Sequence, residues 1–119
     1  MKIIAPEKEI RWMGTSYEDI LNFPATIRKE AGFQLGKIQA GLLPDNWKPF
    51  DDVGAGTKEI RLRDAAGIYR VMVVAKFEDA IYVLHCFQKK TNTTTKQDKE
   101  IAAARYKAIT AKRSLKNDH

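Results

Sequence analysis

Residues 57–90 read TKEIRLRDAAGIYRVMVVAKFEDAIYVLHCFQKK, and this stretch decides the fold. Its first eight residues alternate, with Ile60 and Leu62 on one face and charged side chains on the other, as in a half-buried strand. Turn signals at residues 64–67 (DAAG) and 78–79 (ED) separate two further apolar runs. Because both connections are short, we expect an antiparallel meander of three strands. The last two runs are apolar on both faces, so they should lie in the middle of the sheet, covered on both sides.

Helices are predicted on the N-terminal side of this meander. Residues 8–13 (KEIRWM) favour a short opening strand, and Thr15 or Ser16 is a suitable N-cap for a helix. Pro24 suits the first turn of a second helix. The apolar residues of that helix recur at helical spacing and predict a core-facing stripe of Ile27, Ala31, Leu35 and Ile38. Residues 44–56 have the proline, glycine and aspartate content of a loop.

The C-terminal part of the chain predicts one more helix, from Lys96 to about Arg113, with Ile101, Ala104 and Ala108 facing the core. Residues 113–119 are expected to be a frayed tail. The predicted fold class is α+β: an N-terminal helical hairpin packed on a small antiparallel β-sheet, with a C-terminal helix. Its 119 residues suit one domain, 1–119.

Charge is distributed unevenly along the chain. Residues 1–56 hold 7 Lys/Arg and 8 Asp/Glu, net −1, whereas residues 57–119 hold 14 and 7, net +7. This asymmetry favours a polyanionic partner, first nucleic acid and then an anionic membrane; a basic surface that serves only solubility is the alternative. The chain has no apolar run of the roughly 20 residues that a membrane span needs. A single cysteine, Cys86, lies in an apolar run, so we expect a cytoplasmic protein with a buried thiol.

Cations of the meander should meet at one edge of the sheet. Arg61 and Arg63 share a strand face, Arg70 lies beyond the short turn, and the third strand returns to the same end with Lys89 and Lys90. Arginine binds phosphate in a bidentate manner and lysine acts as a point charge, so the cluster predicts a phosphate-binding surface. The alternatives are a structural ion pair of Arg70 with Glu59 or Asp64, and a solvated strand end for the two lysines.

This cluster also has the residue types for RNA cleavage. RNA carries its own nucleophile, the 2′-OH, so catalysis needs alignment, a proton acceptor and stabilisation of the phosphorane charge. We assign Arg70, Lys89, Lys90 and Arg61 to catalysis, since a lysine crowded by cations has a lowered pKa and can act as a base. His85 is a candidate acid–base group, with a core histidine as the alternative. Tyr106 is a candidate for stacking on a base or for protonating the leaving group, with a packing role as the alternative. Lys58 and Arg63 are assigned with Tyr106 to RNA and phosphate binding. One cysteine and two histidines cannot form a zinc site, and we expect no metal or cofactor.

Three strings of the chain resemble the RelE/ParE superfamily of bacterial toxins, in its phage-related HigB-like branch: FPATIRKEAGFQLGKIQAG, KEIRLRDAAGIYRV and AIYVLHCFQKKT. The resemblance covers residues 9–113. It implies a toxin of a type II toxin–antitoxin system that cleaves mRNA in the ribosomal A site without a metal. It also implies a cognate antitoxin from the same operon, often a helix-turn-helix protein.

The functional residues of that superfamily match this chain in part. The arginine after the strand tyrosine corresponds to Arg70, the basic residues of the preceding strand correspond to Arg61 and Arg63, and the terminal cation corresponds to Lys89 or Lys90. A position that is lysine in some members is Glu59 here, and Tyr106 and His119 are candidates for the C-terminal tyrosine or histidine of some relatives. The alternatives are a ParE-like inhibitor of DNA gyrase without ribonuclease activity and an inert phage-derived binding module.

Overall fold

The protein is described here by a computed structural model, which covers residues 7–91 and 93–117. His119 lies outside the described residues. Five strands and three helices follow one another along the described chain: β1 (Glu9–Trp12), α1 (Ser16–Leu21), α2 (Ala25–Gln39), β2 (Trp47–Pro49), β3 (Thr57–Asp64), β4 (Gly67–Val74), β5 (Ala80–Lys89) and α3 (Lys96–Asn117). The strands form one sheet in the order β1-β5-β4-β3-β2.

The predicted fold class, a helical hairpin on a small antiparallel sheet, is wrong. The sheet has five strands and is mixed, because β1 precedes the helices and pairs in parallel with β5. β2 lies inside the segment predicted as a loop and pairs with β3 through Lys48 opposite Glu59. β1 is the short opening strand predicted within residues 8–13, but its partner lies some 70 residues later in the chain, so its pairing has no local signal. β2 has three residues including a proline and no strand pattern. The central antiparallel meander of β3, β4 and β5 is as predicted.

Helices cover both faces of the sheet. On one face α1 contacts β5 and α2 contacts β3. The predicted α2 stripe is confirmed, since all four of its residues are buried in that cluster. On the other face α3 packs over β4 and β5 in a second apolar cluster. This burial on both sides explains why β4 and β5 carry apolar residues on both of their faces. Within the described residues, no helix is long and apolar enough to cross a membrane.

α3 differs from its prediction in length and in phase. It continues to Asn117, beyond the expected end near Arg113. Its buried residues are Ala102, Tyr106 and Ile109, whereas Ala104 and Ala108 are exposed. The large side chains therefore set the rotation of the helix, because burying a tyrosine and an isoleucine removes more apolar area from water than burying two alanines.

A β-bulge in β5 places His85. Met72 pairs with His85 and Val73 with Val83, so within these two fully described strands Leu84 is left unpaired. The extra residue shifts the alternation, and His85 lies on the α3 side instead of sharing a face with Ile81 and Val83 as strict alternation predicts. The carbonyl of Leu84, released from the ladder, accepts a hydrogen bond of 2.9 Å from Arg105 on α3.

Candidate functional site

A group of cations lies on the α3-facing side of β3, β4 and β5, near the turn between β3 and β4. Arg61 is directly opposite Arg70, and Lys89 is opposite Ile68, two residues before Arg70. Arg61 and Arg63 are exposed, whereas Arg70 and Lys89 are buried. We call Arg61, Arg63, Arg70 and Lys89 the cation cluster.

A cleft of about 340 Å³ lies against this cluster. The three arginines line it together with three uncharged residues, which are Asn46 just before β2, Leu62 on β3 and Ile68 on β4. Three guanidinium groups beside one cleft can bind a phosphate or phosphodiester, since each offers several N–H donors in a plane. The chemistry that the cleft favours is therefore the binding of an oxyanion.

Arg70 is held by a buried carboxylate. Its Nε lies 3.4 Å from Oε1 of Glu59, a distance that makes an ion pair but not a well-formed hydrogen bond. Its Nη1 donates a hydrogen bond of 3.1 Å to the carbonyl of Tyr69. Arg70 thus forms the structural ion pair considered as an alternative and lines the cleft as well. The two roles are compatible because a guanidinium has five N–H donors.

The cations of the cluster act on one another. Burial lowers the pKa of Arg70, Glu59 opposes this, and the charges of Arg61 and Arg63 lower it further. Burial also lowers the pKa of Lys89, and the neighbouring charge of Arg70 adds to the effect while Glu59 again opposes it. Lys48 on β2 and Arg61 lower the pKa of Lys89 as well. A bound anion would relieve this crowding, which favours anion binding at the cleft.

Two predicted lysines lie apart from the cleft. Lys90 is exposed directly after β5 and is not among the described residues that line the cleft. Lys58 is on the opposite face of β3 from Arg61, because side chains alternate along a strand. Its Nζ lies 5.1 Å from the centre of the Trp47 ring, a cation–π distance. Their assignments to catalysis and phosphate binding stay predictions.

His85 and Tyr106 are tied to structural partners. Nε2 of His85 lies 2.8 Å from Oδ1 of Asp98, and its ring stacks on Phe87. The hydroxyl of Tyr106 donates a hydrogen bond of 2.7 Å to the carbonyl of Ala55. Its ring packs so closely on residue 54 that only a glycine fits there. Neither residue lines the cleft as far as the chain is described, and their catalytic assignments also stay predictions.

Three residues near the cation cluster were not predicted from the sequence. Asn46 and Lys48 belong to the segment that was predicted as a loop, and Lys48 Nζ lies 4.0 Å from Oε1 of Glu59. Thr94, in the polar loop after β5, donates a hydrogen bond of 2.8 Å to Oε2 of Glu59. No local pattern marks these residues, since each is defined by a partner on another element. Among the described residues, no group of three or more His, Cys, Asp or Glu is arranged to hold a metal ion.

The chain matches one known protein family. Residues 18–107, about three quarters of the chain, match the family model of the phage-derived Gp49-like proteins (DUF891). The chain belongs to the Gp49-like family. In this Gp49-like protein the matched segment contains the whole cation cluster together with Glu59 and Thr94. No curated protein sequence matches the chain.

Proposed function

We propose that this Gp49-like protein is the toxin of a type II toxin–antitoxin system and belongs to the HigB-like branch of the RelE/ParE superfamily. Its activity is ribosome-dependent cleavage of mRNA. Membership of a phage-derived family is compatible with a toxin of this kind. The observation that carries the endonuclease proposal is the cleft, which places two exposed arginines beside a buried arginine and near a buried lysine. Buried cations are costly, and a phosphodiester is an anion that offsets the cost.

The proposed reaction is attack by a ribose 2′-oxygen on the adjacent phosphorus. Lys89, as a neutral amine, takes the proton of the 2′-OH, and its lowered pKa increases the fraction of that form. Arg61, Arg63 and Arg70 stabilise the charge that develops on the phosphorane oxygens. The bond from phosphorus to the 5′-oxygen then breaks, leaving a 2′,3′-cyclic phosphate. The 5′-oxygen takes up one proton from solvent, which balances the proton lost by the 2′-OH.

Two partners follow from the proposal. The substrate is mRNA on the ribosome, and the inhibitor is a cognate antitoxin, expected to be a helix-turn-helix protein encoded beside this chain. Both place the protein in the cytoplasm. The antitoxin proposal is tested by co-expression with the adjacent reading frame, which should give a stable complex and restore growth.

Expression from a tightly controlled promoter tests the activity. We expect growth arrest with mRNA cut between codon positions. Induction of the SOS response with stalled gyrase would instead favour a ParE-like inhibitor, and normal growth would favour an inert binding module. Either result would contradict the endonuclease proposal.

Purified protein gives a second test through the salt dependence of RNA binding. For single strands, the slope of log K against log salt is about −0.7 per neutralised phosphate. If Arg61 and Arg63 each contact a phosphate, the double variant Arg61→Ala/Arg63→Ala should reduce the slope by about 1.4. The matched control is Lys96→Ala/Lys107→Ala, which removes two exposed charges from α3. An equal change in both variants would argue against a site at the cleft.

A further inference from the structure

Glu59 is a fully buried carboxylate beneath a cluster of cations. Its exposed fraction is 0%, and it lies on β3 between Lys48 on β2 and Met72 on β4. A carboxylate is the wrong charge for contact with a phosphate, and its burial costs free energy unless it is paired and hydrogen bonded. An apolar side chain at this place would avoid that cost. We therefore expect Glu59 to position other residues of the site through its contacts.

The two carboxylate oxygens of Glu59 have different partners. Oε1 faces cations, with Arg70 Nε at 3.4 Å and Lys48 Nζ at 4.0 Å. Oε2 accepts the hydrogen bond from Thr94 Oγ1 at 2.8 Å. Thr94 thereby fixes the rotation of the carboxylate, so that Oε1 stays directed at Arg70.

Arg70 is in turn fixed at two points of its guanidinium. Glu59 holds Nε by charge, and the carbonyl of Tyr69 accepts from Nη1. The charges of Arg61 and Arg63 disfavour the charged form of this guanidinium, and the charge of Glu59 favours it. With the anion beneath it, Arg70 remains beside the two other arginines.

We propose that Glu59 is a positioning residue of the site, which holds Arg70 at the cleft and is itself held by Thr94, so that the polar loop after β5 belongs to the site. This inference rests on the proposed function of the cleft as a phosphodiester site. Glu59 touches neither the substrate nor the reacting atoms in this scheme. It acts through Arg70, and through its field it acts on Lys89.

The effect on Lys89 follows from the charges around it. These are Arg61 and Glu59 from β3, Arg70 from β4 and Lys48 from β2. Glu59 is the anion of this set. On the loop and helix that follow β5, the oxygen atoms of Thr94 and Asp98 are engaged with Glu59 and His85. Because the Glu59 charge raises the pKa of Lys89, loss of that charge should lower the pKa further.

The experiment compares Glu59→Gln, which keeps the shape and removes the charge, with Thr94→Val, which keeps the charge and removes the donor. Thr91→Val is the matched control, because Thr91 is exposed and its hydroxyl bonds only to the carbonyl of Thr93 among the described residues. Three quantities are measured: the pKa of Lys89 by NMR of ¹³C-lysine protein, the hydrogen-exchange rate of Arg70 Nε–H, and the cleavage rate with its KM.

We expect Glu59→Gln to lower the pKa of Lys89, to accelerate exchange at Arg70 Nε–H, and to reduce kcat about tenfold or more. Its affinity for an uncleavable 2′-O-methyl oligonucleotide should be unchanged or higher, since a negative charge is lost. Thr94→Val should accelerate the same exchange and reduce kcat, whereas Thr91→Val should change neither. A role in folding alone would lower kcat and affinity together, through a smaller active fraction.

Wild-type pKa and exchange values in a folded Glu59→Gln protein would overturn the inference. If that variant does not fold, Thr94→Val decides, and unchanged exchange at Arg70 Nε–H in it overturns the inference too. If the wild type cleaves no RNA, the proposed function fails, while the two NMR measurements still decide whether Glu59 positions Arg70.

Discussion

The ion pair between Glu59 and Arg70 makes a sharp prediction about stability. Both side chains are almost fully buried, with exposed fractions of 0% and 6%. Removing one partner of a buried pair leaves an uncompensated charge, which typically costs about 3–5 kcal/mol. We expect a loss of about 3 kcal/mol for each single change, at the lower end of this range. In Arg70→Met the remaining carboxylate of Glu59 still has Lys48 nearby, and in Glu59→Gln the remaining guanidinium of Arg70 lines the cleft.

The double variant Glu59→Gln/Arg70→Met should be much less unstable than the sum of the two changes. It holds no unpaired buried charge, and the amide oxygen introduced by Glu59→Gln can still accept the hydrogen bond from Thr94. We expect a coupling free energy of at least about 2 kcal/mol in this double-mutant cycle. That coupling would be a large part of the roughly 5–15 kcal/mol that stabilises a typical domain.

Urea unfolding measures each corner of the cycle, with Trp12 and Trp47 as fluorescent probes and circular dichroism as a second signal. For a slope of about 1–3 kcal/mol per molar urea, a loss of about 3 kcal/mol moves the midpoint by about 1 M or more. Additivity of the two single changes within about 0.5 kcal/mol would refute the reasoning. Arg70→Ala is therefore not a clean test of catalysis, because it lowers the stability of the protein and removes a candidate catalytic group at the same time.

Three further predictions test other parts of the structure. Asp98→Ala should destabilise the protein by about 1–3 kcal/mol in urea unfolding, because it removes the carboxylate that accepts a hydrogen bond from the N-cap hydroxyl of Thr95 and that is the partner of His85. Gly54→Ala should lower the thermal midpoint by an amount equivalent to about 1–3 kcal/mol, because the added methyl group would overlap the ring of Tyr106 on α3. Gly32→Ala is the matched change with open space around it, and it should raise the stability by about 0.5–1 kcal/mol. The pKa of Lys89 is lowered in the folded protein, so below about pH 10.5 the unfolded chain binds a proton at Lys89 more readily than the folded one. The stability that Lys89 contributes is therefore present above about pH 10.5 and is lost as the pH falls through the lowered pKa. Lys89→Met should gain stability relative to the wild type as the pH is lowered from about 10.5 to about 7.

Each of these predictions can be contradicted by one observation. Glu100→Ala on α3 removes an exposed carboxylate and should cost less than about 0.5 kcal/mol, so an equal loss for Asp98→Ala would contradict the role of its contacts. A stable Gly54→Ala protein would show that the Tyr106 ring can move aside. A difference between Lys89→Met and wild type that does not vary with pH would mean that the Lys89 amine is well solvated.

Local patterns and long-range contacts determine different parts of this fold. The meander of β3, β4 and β5 follows from alternation and short turns, and it correctly places Arg61 beside Arg70. The pairing of β1 and the existence of β2 could not be predicted, because the partner of β1 is distant in the chain and β2 has no strand pattern of its own. The bulge at Leu84 was invisible for the same reason, and one extra residue there transfers His85 to the other face.

The candidate site divides in the same way. The arginines could be predicted to share an edge, since their spacing on paired strands dictates it. Lys48 and Thr94 could not, because their contacts with Glu59 depend on the packing of a loop and an edge strand. Burial was equally hidden: Lys89 and Lys90 are adjacent in sequence, yet one is buried and the other exposed.

The two threonines that follow one another at the end of the polar loop constrain its length. Thr94 bonds to Glu59 inside the sheet, and Thr95 bonds to Asp98 and so starts α3. Surface loops usually accept insertions and deletions. Here a single inserted residue between the two threonines would separate the start of the helix from the carboxylate beneath Arg70. We therefore expect natural variation in loop length to fall before Thr94, and the Thr94–Thr95 pair to keep a fixed distance from α3.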